Sequence, residues 1–402
     1  VADVVVVGAG PAGAATAITL AAAGVDVTII DKAVFPRDKC CGDGLTTLAL
    51  RELETLGFDP AAVSDWQRVD GAVLRSPSGR EVTVPLPPGP GTFAAVVPRL
   101  QLDAALVDVA VKAGATLLEG HGFDGSLAVR DDHVELGIAE RAPIAARYVV
   151  AADGMWSPVR KAAGLAESGY LGEWHAFRQY ASGVTGSAGD HLHVWFEPDF
   201  LPGYAWSFPL PGGRANLGFG VLRDGSHRGK DMRQLWAGLV ERPHIRRALG
   251  PAATLEDRHS AWPIPARIDR APLARGRVLL AGDAAMASDV MTGEGIGQAL
   301  LTGRLAGEAI LGELGQPDRV ADTYQRSVRH HLVADHRMSA LLGRVLARQR
   351  GARGSMAILA HSGNWGRRNF ARWMFEDEPR AVALTPSRWH RRFLARPGVF
   401  ER

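Results

Sequence analysis

Four consecutive valines, Val4 to Val7, break straight into Gly8-Ala9-Gly10-Pro11-Ala12-Gly13, and this junction constrains the fold more than anything else in the chain. A continuous β-branched run reads as a strand buried on both faces, and GxGxxG directly after it reads as a tight turn into a helix. The stripe Ala14, Ala17, Ile18 and Ala21 fits one face of that helix, which stops at Gly24. A second strand, Val25 to Ile30, then delivers Asp31, eighteen residues after Gly13. In such a unit Gly8 allows the turn, Gly10 lets backbone approach a pyrophosphate, and Gly13 lets the helix pack closely on the strand. Phosphates then sit on the free N–H groups and positive dipole end of the helix, and the acid accepts hydrogen bonds from ribose hydroxyls. A glycine turn alone is weak evidence; strand, helix and terminal acid together predict a dinucleotide-binding unit. The uncharged stretch Val4 to Val25 is long enough to imitate a membrane span, but its Gly/Pro cluster would break a lipid-exposed helix.

At 402 residues, 46% hydrophobic and 22% charged, the chain is expected to be globular, with room for two or three structural units. It has no low-complexity tract, no short-period repeat, and no basic-then-apolar start with a cleavage site. Its two cysteines, Cys40 and Cys41, are sequence neighbours, which argues against a disulfide framework and a cysteine metal site and for a reducing, cytosolic compartment. His191 and His193 share a strand face without a third ligand in view, so no metal is expected. Net charge is +3 but uneven: from Arg326 to Arg402 there are sixteen arginines and no lysine against five acids, a balance of +11, leaving about −8 elsewhere. No nucleic-acid partner is expected.

Beyond Asp31, the turn formers Phe35 to Gly44 lead into a helix from about Leu45 to Leu56. Short strands with Pro-rich turns follow from Val69 to Val97, and Arg99 opens a helix ending near Gly114. Thr116–Glu119, Ser126–Arg130 and His133–Ile138 read as a small meander. The apolar strand from Tyr148 ends in Asp153-Gly154, with Ser157 and Arg160 just beyond; Arg277 to Ala281 runs likewise into Gly282-Asp283. Strand ends of this kind carry the ligand contacts of α/β sheets. Alternation dominates from Glu173 to Leu222, and Met291 to Ala299 is a glycine-rich turn opening a helix. The expected class is α/β (α+β): a discontinuous Rossmann-type domain (1–68, 96–165, 266–315), an interleaved antiparallel-sheet substrate domain (69–95, 166–265) and a basic helical region (316–402).

Three separated motifs, GAGPAG with Asp31, Asp153-Gly154 with Ser157 and Arg160, and Gly282-Asp283 with Gly293-Glu294-Gly295, together resemble the FAD-binding signatures of the p-hydroxybenzoate hydroxylase-like superfamily. Within it the chain is most similar to the geranylgeranyl reductase family, which includes bacterial menaquinone reductases. Lys39-Cys40-Cys41-Gly42-Asp43-Gly44 is similar to that family's KxCGxG loop, and Gly203 to Pro209 to its YxWxFP motif. The resemblance covers roughly residues 2 to 320 and fades in the tail. It implies FAD contacts from Gly8, Gly10, Ala12, Gly13, Asp31, Lys32, Cys41, Gly42, Gly44, Arg99, Asp283, Gly293, Gly295 and Ile296. Asp283 would hold a ribityl or ribose hydroxyl, Arg99 the FAD backbone, and the helix after Gly293 the pyrimidine edge of the flavin. Cys40 stands where many relatives carry Pro, so Cys41 is equated with the family cysteine.

The resemblance further implies saturation of an isoprenoid C=C bond in a polyprenyl quinone or lipid, with hydride from reduced flavin N5, an acid protonating the other carbon, and water excluded. Cys41, Tyr204 and Trp206 would be catalytic, and Tyr204, Trp206 and Phe208, alternating on one strand, would line a prenyl tunnel; ordinary core packing is the competing role. Lys39 and the neighbouring glycines suggest a lowered pKa for the Cys41 thiol, which would relay a proton or merely permit close approach. The alternative activity is an FAD-dependent monooxygenase or halogenase acting on an aromatic or polyketide; a halogenase-type GxxxWxWxIP segment is only partly echoed. A non-enzymatic electron carrier is a third reading. Reduction needs NAD(P)H or another reductant, although no second strand–GxGxxG–helix unit is visible. A prenyl substrate confined to a bilayer brings the enzyme to the membrane surface. Leu341, Leu342, Val345 and Leu346 beside Arg344 and Arg348, with Trp373 and Trp389 exposed, would make that contact unless the arginines pair with the acidic remainder.

Overall fold

The valine run forms the centre of a mainly parallel sheet. In the computed structural model, which describes residues 2–223 and 232–401, the strand Ala2–Val7 pairs in parallel with Val27–Asp31 on one side and with Arg141–Ala151 on the other. Residues 224–231, inside the expected substrate segment, and Val1 and Arg402 lie outside the described residues. Val278–Leu280 extends the sheet in parallel beyond Arg141–Ala151, and Thr116–Glu119 extends it beyond Val27–Asp31. Thr116–Glu119 is therefore a sheet edge and not part of the expected meander. Phe123–Val129 and Val134–Ile138 pair antiparallel with each other, and Val134–Ile138 pairs antiparallel with the first half of Arg141–Ala151, whose second half enters the parallel sheet; Ala274–Arg275 adds a short antiparallel edge on Val278–Leu280. Val4 to Val7 are buried, as a central strand covered on both faces requires.

Helix Pro11–Ala21 opens with proline at its first turn, where the missing N–H costs nothing. It packs against helix Ile296–Glu313 through small residues: a Cβ on Gly303 would stand 2.1 Å from the Ala12 carbonyl oxygen, and one on Gly307 2.8 Å from Thr19 Cβ. The Thr16 hydroxyl donates to the Gly303 carbonyl at 2.9 Å, which locks that approach.

The second sheet is antiparallel apart from one parallel pair. Its order is Thr254–Leu255, Trp174–Ser182, Arg214–Leu222, Tyr204–Leu210, Leu192–Trp195, Gly71–Arg75, Glu81–Pro85, and Ser260–Ile264 also pairs with Trp174–Ser182. One side of this sheet carries a core of Phe177, Phe219 and Trp236, closed by helices Met232–Val240 and Pro243–Leu249. The other is covered from the tail: helices Gln349–His361 and Gly363–Met374, with Phe375 at the end of the second, bring Met356, Leu359, Ala371 and Phe375 into one cluster with Leu74, Val84, Trp206 and Phe208. The basic tail is thus a wall of the sheet's core. Its last residues also return, with Val399 and Thr92 exchanging backbone hydrogen bonds at 2.7 and 2.9 Å. Among the described residues no helix is long and apolar enough to cross a membrane.

Replacing Gly303 with Ala should push the two helices apart at Ala12. Thermal or urea unfolding should report a loss of about 1–3 kcal/mol, the usual penalty for overpacking, accompanied by weaker FAD retention because Ala12 belongs to the turn; unchanged stability would mean the helices can shift freely.

Candidate active site

The GAGPAG turn is closed on two sides and open on the third. A Cβ on Gly8 (φ +100°) would meet the Ala152 carbonyl oxygen at 2.4 Å, and one on Gly13 the Gly8 oxygen at 1.8 Å. A Cβ on Gly10 would meet only two guanidinium nitrogens, Arg37 Nη2 at 3.6 Å and Arg99 Nη2 at 3.9 Å. Both arginines are aimed by one buried carboxylate: Asp103 accepts from Arg37 Nη1 at 2.6 Å and from Arg99 Nε and Nη2 at 2.7 Å each. Asp103 also holds the Arg99 pKa above its ordinary value against the opposing effect of burial. Free helix N–H groups and two oriented guanidiniums around a bare glycine suit a diphosphate. Arg37 is missed by sequence reading, because its only mark there is a place in a turn-rich loop; the shared Asp103 is visible only in three dimensions.

Asp31 lies at the tip of its strand, accepting from Ala9 N at 2.7 Å and Ala33 N at 2.9 Å, so it braces the turn while keeping lone pairs for a ribose. Lys32 is exposed, its stem beside Gly122. The other two motifs reach the same end of the sheet. Arg160 donates to the Met155 carbonyl at 2.7 Å and the Ala284 carbonyl at 2.9 Å, tying the Asp153 turn to the Asp283 turn. Asp153 accepts from Val159 N at 3.1 Å through Oδ2, while its buried Oδ1 has no partner and burial raises its pKa. Asp283 accepts from the Ser288 hydroxyl at 3.3 Å. A Cβ on Gly282 would stand 2.9 Å from Ala12 Cβ, and one on Gly295 3.9 Å from Asp283 Oδ1. Helix Ile296–Glu313 begins there with no side-chain cap, leaving its first N–H groups free. These residues fit FAD: a phosphate turn, an acid for the ribose, an acid for a ribityl hydroxyl and a free helix end.

The cysteine loop lies under the aromatic strand. A Cβ on Gly42 would be 3.3 Å from Phe208, and one on Gly44 3.0 Å, so the glycines admit the aromatic rings as well as any cofactor. Trp206 faces Gly218 across the sheet, where a Cβ would sit 2.3 Å from the indole, and donates to Asn216 Oδ1 at 3.1 Å. Asn216 in turn donates to the Cys41 carbonyl and to Asp43 Oδ2, both at 2.8 Å. Asp43 also accepts from the Tyr180 hydroxyl at 2.6 Å and Arg99 N at 3.2 Å, yet burial still pushes its pKa up to about 6.

The expectation of a lowered cysteine pKa is not met. Burial pushes the Cys41 thiol up to about 11 and Cys40 up to about 12, outweighing Arg99 and Arg178 respectively, so both stay protonated at neutral pH. Lys39 is half-buried: its ammonium lies 4.5 Å from the centroid of the Trp262 ring and 3.5 Å from where a Gly154 Cβ would be, and desolvation lowers its pKa.

An apolar cavity of about 240 Å³ opens beyond this loop. Tyr204 and Phe208 lie on its wall; Trp206 does not, being packed behind them. Gly44, Thr46 and Glu294, from the two loops assigned to FAD by resemblance, form one side, and Leu342, Phe370 and Trp373 from the tail form another. Trp373, expected to be exposed, is therefore a cavity residue, whereas Trp389 is exposed. Tyr204 donates its hydroxyl proton to the Thr292 carbonyl. Burial, reinforced by Glu376, pushes Glu294 up to about 8.

Comparison with known proteins supports the fold and the cofactor. The family described as FAD binding domain matches residues 1–335. A menaquinone reductase of Mycobacterium tuberculosis is 36% identical over 359 residues, 81% of this chain and 81% of that one. Digeranylgeranylglycerophospholipid reductase 2 of Methanopyrus kandleri is 33% identical over 334 residues, 81% and 80%. Among solved structures, a geranylgeranyl bacteriochlorophyll reductase-like protein from Thermoplasma acidophilum matches with TM-score 0.79 at 21% identity, covering 96% of this chain and 98% of that one. The halogenase PltM with phloroglucinol and FAD matches with TM-score 0.72 at 18%, covering 96% and 86%; both show the fold. Fold and site together define an FAD-dependent oxidoreductase. Within that class the chain belongs to the geranylgeranyl reductase family.

Two outcomes follow. Asp31→Ala should weaken FAD retention at least tenfold, from the loss of two charge-assisted hydrogen bonds to ribose worth about 2–4 kcal/mol; flavin fluorescence on dilution measures it, and parental affinity would sink the assignment. Asp43 should set part of the acid-range stability profile. The unfolded group ionises at 3.8 and the folded one at about 6, so its contribution is complete below 3.8 and is lost as pH rises to about 6. Asp43→Asn should flatten the stability slope in that window, whatever its effect on absolute stability.

Proposed function

We propose that the enzyme saturates an isoprenoid C=C bond of a polyprenyl quinone or polyprenyl lipid. The observation that carries this reading is the apolar cavity bounded by both FAD loops, the aromatic strand and the tail helices. FAD, once reduced by NAD(P)H or another two-electron donor, supplies the hydride for such a bond. Arg37, Arg99, Asp31 and Asp283 bind and orient the cofactor, and the wall of Tyr204, Phe208, Leu342, Phe370, Trp373 and Met374 excludes water from an alkene. Trp206 acts from behind, holding Asn216 and through it the Cys41 carbonyl. A neutral Cys41 thiol beside Arg99 suits a proton-bearing or space-making role better than a nucleophilic one. The relatives named menaquinone reductase and digeranylgeranylglycerophospholipid reductase support the substrate class.

The substrate's confinement to a bilayer makes the cavity mouth the membrane-facing part of the enzyme. Val345 and Ser355 line the cavity and are also exposed, which supports an opening between helices Ala334–Leu346 and Gln349–His361. On those helices Leu341 and Ile358 are exposed, 54% and 75%, as are Arg344, Arg350 and Arg353, and Arg348 is exposed in the turn between them. Arg372, Arg380 and Arg388 are spent instead on ion pairs with Asp377, Asp289 and Asp335.

The reduced enzyme, mixed anaerobically with a polyprenyl quinone, should be reoxidised and yield a product heavier by two hydrogens. Reoxidation only by oxygen, with hydroxylated or halogenated aromatic product, would replace the reductase reading with the monooxygenase or halogenase one. The protein should co-sediment with anionic but not neutral vesicles, less so as salt rises, each docked arginine contributing about 1 kcal/mol; salt-independent or absent binding retires the membrane contact.

A further inference from the structure

The cavity wall is mainly apolar, with a few hydroxyls and a single carboxyl. Among the described residues that line it, Glu294 is the one charged side chain, and it is half-buried. Its backbone N–H donates to the Thr292 hydroxyl at 3.3 Å, but among the described residues its carboxyl has no hydrogen-bond donor to stabilise an anion. A neighbouring carboxyl is treated differently. Glu376 accepts from the Thr46 hydroxyl at 2.9 Å, from Gln298 Nε2 at 2.8 Å and from Arg380 Nη2 at 3.3 Å. Thr46 lies on the cavity wall, whereas Glu376, Gln298 and Arg380 line a polar cleft of about 530 Å³ on its far side.

We propose that Glu294 is the catalytic proton donor of this reductase and that Glu376, in contact with the polar cleft, restores its proton. The inference rests on the reductase reading. An alkene with no polarised substituent accepts hydride only if the opposite carbon is protonated in the same event, and the donor must carry its proton into an anhydrous cavity. Of the candidate groups, Tyr204 has committed its hydroxyl proton to the Thr292 carbonyl, and Cys41 is not on the cavity wall. In the step, the Glu294 O–H bond breaks and its proton takes the π pair of the alkene at one carbon. The hydride supplied by reduced FAD forms the second C–H bond, leaving oxidised FAD and the Glu294 carboxylate. Glu376 then passes a proton to Glu294 and recovers one from water in the cleft.

The electrostatics agree. Burial and Glu376 keep Glu294 protonated up to about pH 8, opposed by Arg380 and assisted by Asp289. Tyr204 and Cys41 also face Glu294, and both stay neutral through the working range. Burial raises Glu376 as well, while Arg380, Thr46 and Gln298 favour its anion, so one proton is best held on the cavity side.

The test uses the holoenzyme and the variants Glu294→Gln and Glu376→Gln. An infrared pH titration of the resting proteins, with no turnover, should show a protonated carboxyl with a midpoint near 8, absent in E294Q and shifted down in E376Q. E294Q should keep parental FAD affinity and KM but slow single-turnover reoxidation by a polyprenyl quinone about a hundredfold or more, with no alkaline limb near pH 8. E376Q at pH 6 should complete its first turnover at the parental rate and slow afterwards. Parental single-turnover rates in E294Q, or no carboxyl titrating near pH 8, would overturn the donor assignment; parental later turnovers in E376Q would overturn the relay. If wild-type enzyme fails with every polyprenyl quinone and lipid, the reductase reading falls and takes this assignment with it, a result separable from failure in E294Q alone.

Discussion

Asp43 ties the two halves of the molecule together. It sits in the cysteine loop of the nucleotide-binding half, and its carboxylate is taken up by Tyr180 and Asn216 of the second sheet and by the backbone N–H of Arg99. A buried carboxylate with three donors has almost no freedom to move, and losing any partner leaves it desolvated. That rigidity fixes the Cys41 carbonyl through Asn216, and fixes the start of the Arg99 helix, which carries Arg99 and Asp103 and through Asp103 holds Arg37 of the preceding loop.

The remaining geometry follows from close approaches that only glycine allows. Gly8 and Gly13 let the turn, the Ala152 carbonyl and the helix touch; Gly303 brings a second helix onto Ala12; Gly42, Gly44 and Gly218 let Phe208 and Trp206 press on the cysteine loop and the neighbouring strand. The first pair serves the cofactor, the last set serves the cavity, and Gly303 couples the helix beginning at Ile296 to the phosphate turn. The two groups of contacts meet at the loops carrying Gly44 and Glu294, which form one side of the cavity.

The tail completes the cavity. Its helices contribute Leu342, Phe370 and Trp373 to the wall and Met356 and Phe375 to the core behind it, while Arg380 and Glu376 build the polar cleft on the far side. Its excess positive charge is divided: Arg372, Arg380 and Arg388 pair with buried or half-buried acids, while Arg344, Arg350 and Arg353 are exposed on the two helices that supply Val345 and Ser355 to the cavity.

Local pattern carried the nucleotide half. The valine strand, the glycine turn, the helix and Asp31 are contiguous, each is set by near neighbours, and the structure has all of them within about three residues of where periodicity puts them. The aromatic strand was legible for the same reason, since alternation is a local property. What local pattern could not supply is whatever depends on partners far along the chain. Thr116–Glu119 looked like meander because its partner, Val27–Asp31, lies some eighty-five residues earlier. Arg37 looked like loop because Asp103 orients it, and the Cys41 thiol looked acidic because Lys39 is adjacent in sequence while the burial that dominates its pKa is not. Trp206 and Trp373 exchanged roles, one withdrawn behind the wall and the other brought into it, and Glu294 passed as a polar residue in a glycine turn. Strand, turn and helix were determined by the sequence itself because their energetics are local. The cavity, its lone acid and the charge states around it were decided by tertiary structure, because burial and long-range partnership are properties of the packed molecule.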